Sequence, residues 1–304
     1  MYDVEALPAY VQENRLPLLA ASILKGKTVE VINRMSGVKG KAALNLVDIG
    51  ANFAPGNECG FNDTTEDAFS QRVLETYLIK LEKEWCWKDL IGKWNEYEYR
   101  VVAGDKSLAF EEFFLNEIAK KVAAQIEKMI WQGDTSIHAN FGGLLRNLST
   151  EVAGTPLTGT TAYENIMQVY MAIPEEVLDK AAIFVSADNF RALVAALVQN
   201  NLYHYNPGAP VDEIILPGTN TRVIKVNGLN NAPTWRDSTR TSFNDVIVAA
   251  DPDNLFYGYD IEDSERAMDM WYSKDNDSIR LRITTNIGTQ VAFPNQVIVA
   301  GTPA

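Results

Sequence analysis

The chain has 304 residues, 46% of them hydrophobic, enough for two domains or one large elaborated one with a substantial core. Forty acidic against 27 basic residues leave a formal charge of −13, which argues against direct binding to nucleic acid or to anionic membrane surfaces. Cys59 and Cys86 are the only cysteines, too few for a disulfide framework or a cysteine-based zinc site, and they fit a reducing cytoplasm.

The opening MYDVEALPAYV is acidic where a secretory signal needs basic residues. The apolar run from Leu16 to Leu24 contains a proline and is about half the ~18 residues of a membrane span. A soluble, non-secreted protein with no membrane partner is expected. Residues 1–40 mix short apolar clusters with the punctuated stretch KGKTVEVINRMSGVKGK, and read as an extended arm with little core of its own. Residues 41–66 are rich in Gly, Asn, Asp and Pro, so turns should dominate. A strand-like run follows from Ala68 to Trp85, with Phe69, Val73, Tyr77, Ile79 and Leu81 on one parity. A turn-rich tip joined to a long strand predicts a projecting hairpin.

The spacing predicts a helix over 107–131. Phe110, Phe113, Phe114, Ile118, Val122, Ile126, Met129 and Ile130 recur at three- and four-residue steps as one stripe. Ser107 suits the N-cap, Glu117 and Lys121 are spaced for an i,i+4 ion pair, and Gly133 supplies the stop. At ~1.5 Å per residue such a helix is close to 40 Å long.

Beyond a loop that holds His138 and ends in Phe141-Gly142-Gly143, the texture becomes mixed. Thr161 and Glu164 form a capping box that starts a helix through Ile173. AAIFVS (181–186) reads as a buried strand, and Asp188 as the cap of the next helix. EIILPGTNTRVIKV (213–226) reads as two strands around a Pro-Gly turn, and DVIVAA (245–250) as another strand. From Ala267 the chain returns to strands. MDMWYS and SIRLRITT flank the turn KDND, and TQVAF and QVIVAG follow. Ile279, Leu281 and Ile283 alternate with Arg280 and Arg282, as in a half-exposed strand.

Motifs that carry chemistry are absent or fail in detail. His138 and His204 have no metal-ligand spacing near them, so each reads as a hydrogen-bonding residue. LKGKT (24–28) lacks the first glycine of a phosphate-binding loop. DPDN (251–254) lacks the glycine of a calcium loop and reads as a turn after a strand. The aromatics of EWCWKDLIGKWNEYEY (84–99) alternate with acidic residues, which favours strand packing or a protein interface over base stacking. No G-x-S-x-G elbow is present. No enzyme, cofactor or metal is expected.

Four stretches, in order, carry a resemblance to a known family. They are ALNLVDIGANFAPGNECGFNDTTEDAFSQRVLE (43–75), the helix ending in WQGD and followed by FGGLL (141–145), IFVSADNFRALVAALVQNNLYHYNPG (183–208), and MWYSKDNDSIRLRITTNIGTQVAFPNQVIVAG (270–301). Together the chain resembles the major capsid protein of tailed bacteriophages, with the α+β Hong Kong 97 fold. The resemblance implies an N-terminal arm (1–40) and an extended loop (41–88) reaching over a neighbouring subunit. It implies a peripheral domain (89–140 and 262–294) whose spine is the 107–131 helix, and an axial domain (141–261 and 295–304). On this reading the loop after the helix is a joint, and its glycines allow the chain to change direction.

The resemblance implies a structural protein of the virion capsid, assembled in the bacterial host cytoplasm. It would form hexamers and pentamers of an icosahedral head that encloses double-stranded DNA without sequence-specific binding. Portal, scaffolding and decoration proteins are its expected partners. Phe53, Phe61 and Phe69 are the candidate anchors between subunits. Some members weld subunits through a loop lysine, and no lysine lies between Lys41 and Lys80, so no such cross-link is expected. With Met1 as initiator, a separate scaffolding protein is expected. Two alternatives predict different particles. An encapsulin-like shell would carry enzyme cargo, and an acidic α/β enzyme would be a monomer or small oligomer with a ligand pocket.

Overall fold

The strand β13 (Ser278–Val291) organises one half of the molecule. The computed structural model describes residues 6–48, 68–86, 88–89, 110–202, 212–260 and 267–304. One edge of β13 carries two antiparallel partners end to end, β12 (Met268–Ser273) along 278–283 and β11 (Leu255–Asp260) along 286–291. Its other edge carries β4 (Tyr77–Cys86), antiparallel from Ser278↔Cys86 to Ile287↔Tyr77. β1 (Asn33–Ser36) adds to β11 in parallel. Ile279, Leu281 and Ile283 are buried and Arg282 is exposed, as the alternation predicts. The expected separate strand TQVAF is the second part of β13, because β11 continues the pairing without interruption.

The inward face of this sheet is covered by helices. The long helix α4 (Phe110–Gln132) carries Leu115, Ile126, Met129, Ile130 and Trp131 into the core. Its stop at Gly133, with φ of +68°, is as expected; residues 107–109 lie outside the described residues. Glu117 pairs with Lys120 at 2.6 Å rather than with Lys121.

The N-terminal segment corrects the expectation of an extended arm with little core. It folds into α1 (Ala6–Glu13), α2 (Arg15–Leu24) and α3 (Lys27–Val31). Leu7, Val11, Leu19, Ile23 and Val29 are fully or almost fully buried in the same core as α4 and the sheet. Each helix is too short to be stable alone, and packing against α4 supplies what local propensity does not. Pro17 is tolerated because it lies in the first turn of α2.

A hairpin stem joins this half through β2 (Lys41–Asp48) and β3 (Ala68–Glu75), antiparallel from Lys41↔Glu75 to Asp48↔Ala68. Turns were expected from residue 41, but β2 is a strand. The tip, residues 49–67, lies outside the described residues. The long strand expected from 68 to 85 is broken at Thr76, and the break reverses its parity. Leu74 is the buried side of β3, while Tyr77, Ile79, Leu81 and Trp85 are the half-buried side of β4. Phe69 and Val73, expected on one face with Tyr77, point to solvent instead.

The other half is a second sheet in the order β5 (Thr155–Pro156), β14 (Ile298–Pro303), β10 (Ser242–Ala250), β6 (Ala182–Val185), β8 (Arg222–Lys225), β7 (Glu213–Ile215). A short strand, β9 (Trp235–Arg236), also pairs with β10. Two helices, α6 (Ala162–Ala172) and α7 (Ala187–Gln199), bury Ile166, Val169, Phe190, Leu193 and Leu197 in a core shared with β6, β8 and β10. The capping box of Thr161 and Glu164 is complete. At the start of α7 the cap is Ser186, whose hydroxyl accepts from the Asn189 N–H; Asp188 lies in the first turn and pairs with Arg191. DPDN forms a short 3-10 turn over Pro252–Asn254, capped by Asp251.

Candidate functional site

The joint after α4 is closed by its glycines. Gly133 and Gly143, with φ of +68° and +67°, lie back to back. A Cβ on Gly133 would stand 2.2 Å from the Gly142 carbonyl carbon, and one on Gly143 would stand 2.5 Å from the Gly133 nitrogen. The loop between them is pinned by the Asp134 N–H donating to the Phe141 carbonyl at 2.9 Å. α5 (Gly143–Ser149) then buries Leu144, Leu145 and Leu148. These backbones touch, so no ligand fits between the glycines. His138 accepts from the Asn140 N–H at 3.2 Å and stacks on Tyr77 with ring centroids 4.4 Å apart. Burial and a hydrogen bond donated to Glu75 push the Tyr77 hydroxyl up to about 12. His204 lies outside the described residues.

One turn before the joint, Glu127 ties three parts of the chain together. Its carboxylate accepts from the Lys27 N–H at 3.2 Å, the Thr28 hydroxyl at 3.2 Å and the Asn227 N–H at 3.1 Å. The N-cap position of α3 is Gly26, which has no side chain, so Glu127 caps that helix from outside. Trp131 donates its indole N–H to the Thr28 hydroxyl at 2.8 Å. Gly228 packs flush against this stretch, since a Cβ there would stand 2.2 Å from the Trp131 ring. Desolvation raises the Glu127 carboxyl above the usual carboxylate value, and the hydrogen bonds offset part of that shift. In the sequence, Glu127 leaves only a faint signal, a carboxylate between Ile126 and Ile130 inside the buried end of the stripe.

The hairpin base is fixed by Thr76. Its hydroxyl accepts from the Gly40 N–H at 3.0 Å and donates to the Val38 carbonyl at 3.0 Å, and its N–H donates to the Gly40 carbonyl at 2.7 Å. The chain crosses β11 and β13 over two facing glycines, Gly258 and Gly288. A Cβ on Gly288 would stand 2.0 Å from the Glu75 carbonyl oxygen. Arg72 adds an ion pair with Glu151 and donates to the Val291 carbonyl at 2.9 Å.

One face of the hairpin stem is apolar and exposed. Val47 and Phe69 face each other across it, 50% and 75% exposed, and Val73 is 45% exposed. The opposite face buries Leu44, Leu46 and Leu74. Of the three candidate anchors, Phe69 is therefore on the open face, while Phe53 and Phe61 lie outside the described residues. Among the described residues, no three His, Cys, Asp or Glu side chains are grouped to hold a metal ion. No helix among them is long and apolar enough to cross a membrane.

Sequence comparison decides what this arrangement serves. The phage capsid family matches over residues 100–300. The chain belongs to the phage capsid family. Solved structures similar to this capsid protein extend the likeness of fold to the rest of the chain. The satellite phage P4 procapsid, which includes the size determination protein Sid, aligns at a TM-score of 0.59 and 14% identity, covering 96% of this chain and 90% of that one. The capsid of the native GTA particle aligns at 0.56 and 12%, covering 93% and 91%. The virus-like particle from Pyrococcus furiosus aligns at 0.53 and 9%, covering 95% and 98%. No curated protein sequence matches the chain. The α+β fold is thus that of the Hong Kong 97-type phage capsids, and the chain is a structural, non-enzymatic shell protein of the virion capsid.

Proposed function

We propose that copies of this chain form the hexamers and pentamers of an icosahedral head enclosing double-stranded DNA. The observation that carries the proposal is the exposed apolar face of the hairpin stem, where Val47, Phe69 and Val73 lie together on one side of a two-stranded ribbon. Such a face gains little within one subunit and becomes useful against a neighbour. Residues 41–88 act as the extended loop, with Phe53, Phe61 and Phe69 as anchors between subunits. The segments 89–140 and 262–294 act as the peripheral domain, 141–261 and 295–304 as the axial domain, and 1–40 as an arm folded back on α4. The acidic balance keeps the packaged DNA enclosed without sequence-specific binding. Assembly takes place in the host cytoplasm with portal, scaffolding and decoration proteins as partners.

Negative-stain electron microscopy of the purified protein, alone and co-expressed with its neighbouring genes, tests this. Shells, or rings of five and six, are the expected result. A monomer under every condition would sink the proposal, and enzyme cargo inside purified shells would move the chain to the compartment alternative.

A further inference from the structure

The short helix α3 touches both halves of the molecule through polar groups. Glu127, on α4, receives the Thr28 hydroxyl and the Asn227 N–H on one carboxylate oxygen, and the Lys27 N–H on the other. The Lys27 ammonium stands 3.7 Å from Glu213 of β7, at the far edge of the second sheet. Thr28 is fully buried and Glu127 is 4% exposed, so water does not replace a lost partner there without rearrangement. The chain of hydrogen bonds continues beyond Asn227, which opens a short 3-10 turn, Asn227–Leu229. The Gln132 side-chain amide donates to the carbonyls of Gly228 at 2.8 Å and Asn230 at 3.1 Å. Asn230 Oδ1 in turn accepts from the Ala187 N–H, at the start of α7, at 2.7 Å. α3 and α7 thus lie at two ends of one hydrogen-bonded path through the last turns of α4.

We propose that α3 is a clasp: its docking holds Glu127 in the orientation that seats the 227–230 turn on α4, and its release frees that turn and the start of α7. The coupling comes from shared partners. If α3 leaves, Glu127 loses two of its three donors, and Trp131 loses the acceptor of its indole N–H. A buried carboxylate left with a single donor is costly, so the side chain turns out to water. The Asn227 N–H then loses its partner as well. The Trp131 ring, against which Gly228 packs flush, comes free in the same step. A helix of five residues does not persist without its docking contacts, which makes the clasp two-state, either docked or released. The N-terminal segment is thereby a handle: a partner that draws on it loosens the seat of the second half. The clasp is a property of the single subunit, and it stands or falls separately from the assembly reading above.

The test is hydrogen–deuterium exchange of the full-length unassembled subunit, read by mass spectrometry on short overlapping peptides. Thr28→Val keeps the branched shape and deletes the hydroxyl. Exchange at 226–230 and at Ala187 should accelerate about tenfold or more, with the pairing of β4 and β13 unchanged. Thr28→Ser restores the hydroxyl and should return these amides to within about twofold of wild type. Coupling is reciprocal, so a change at the other end must be felt at α3. Gln132→Ala should accelerate the Glu30 and Ile32 amides, which are bonded to the Gly26 and Thr28 carbonyls. Leu19→Ala opens the same core from α2 without touching the path, and should not reproduce the selective pattern. Acceleration confined to 26–32 in Thr28→Val, uniform acceleration across both sheets, or the selective pattern in Leu19→Ala would each overturn the clasp. Unchanged exchange at Glu30 and Ile32 in Gln132→Ala would do the same, and that variant decides alone if Thr28→Val does not fold.

Discussion

Gly258 and Gly288 face each other across β11 and β13, and together they leave the bare floor over which the hairpin crosses into the sheet. The tightest point is Gly288, where backbone rather than a flexible side chain occupies the space a Cβ would take. Gly288→Ala should therefore cost about 2–3 kcal/mol, the usual scale of an overpacked site that must move backbone. Urea denaturation of the unassembled subunit measures this. An unchanged midpoint would show that the crossing is looser than described.

Glu127 gives a pH signature with a definite sign. Its carboxyl is raised in the folded chain, so its contribution is fullest below the unfolded carboxylate value and is lost as pH rises through the folded one. The stability of wild type minus that of Glu127→Gln should fall as pH rises from the unfolded carboxylate value through the folded one. A difference that grows with pH would contradict the assignment. Glu127→Ala also strands the Lys27 and Asn227 N–H groups, so it should be about 1–3 kcal/mol less stable than Glu127→Gln, and its difference from wild type should fall with rising pH in the same way.

Among the described residues, two buried side-chain polar atoms lack a hydrogen-bond partner, Asn165 Oδ1 and the Tyr257 hydroxyl. Tyr257 is fully buried in the main core. Burial drives its ionisation far above the ordinary tyrosine value. Tyr257→Phe removes an unsatisfied group without opening much space, so thermal unfolding should show a change within about 1 kcal/mol, or a gain. A loss of 2 kcal/mol or more would mean that the hydroxyl has a partner.

Thr76→Val keeps the shape of the hairpin base and deletes its hydroxyl contacts. Leaving the Gly40 N–H unsatisfied should cost about 1–3 kcal/mol. Amide exchange at Gly40 should accelerate, with little change in the sheet around β10. Uniform acceleration across both sheets would argue against a local role.

Phe69→Ala separates folding from assembly. The side chain is exposed in the subunit, so subunit stability should stay within about 0.5 kcal/mol of wild type. Shell yield at fixed protein concentration should drop. Normal yield would remove Phe69 from the proposed anchors.

What the sequence made legible was local. The Thr161–Glu164 capping box and the alternation of Ile279, Leu281 and Ile283 with two arginines are complete within a few residues, and both are present as expected. The misreadings involve distant partners. α1 to α3 lack strong local signals and owe their order to α4, which begins near residue 110. The parity reversal at Thr76 depends on Val38 and Gly40, and no periodicity within 68–85 encodes it. Glu127 looked like any helix carboxylate, since its partners are about a hundred positions away in either direction. Phe69 lies on the opposite face from the one that its spacing to Tyr77 suggests, for the same reason as the parity.

The pairing of β4 with β13 has a mechanical meaning. The ten residues of β4 are bonded along their length to a strand that is itself held on its far edge by β11 and β12. A tug on the hairpin directed along β4 strains that whole row of bonds at once, in shear, instead of peeling them one by one. The stem thus works as a tendon: tension arriving at one subunit's loop passes into the middle of its sheet, not into a frayed margin.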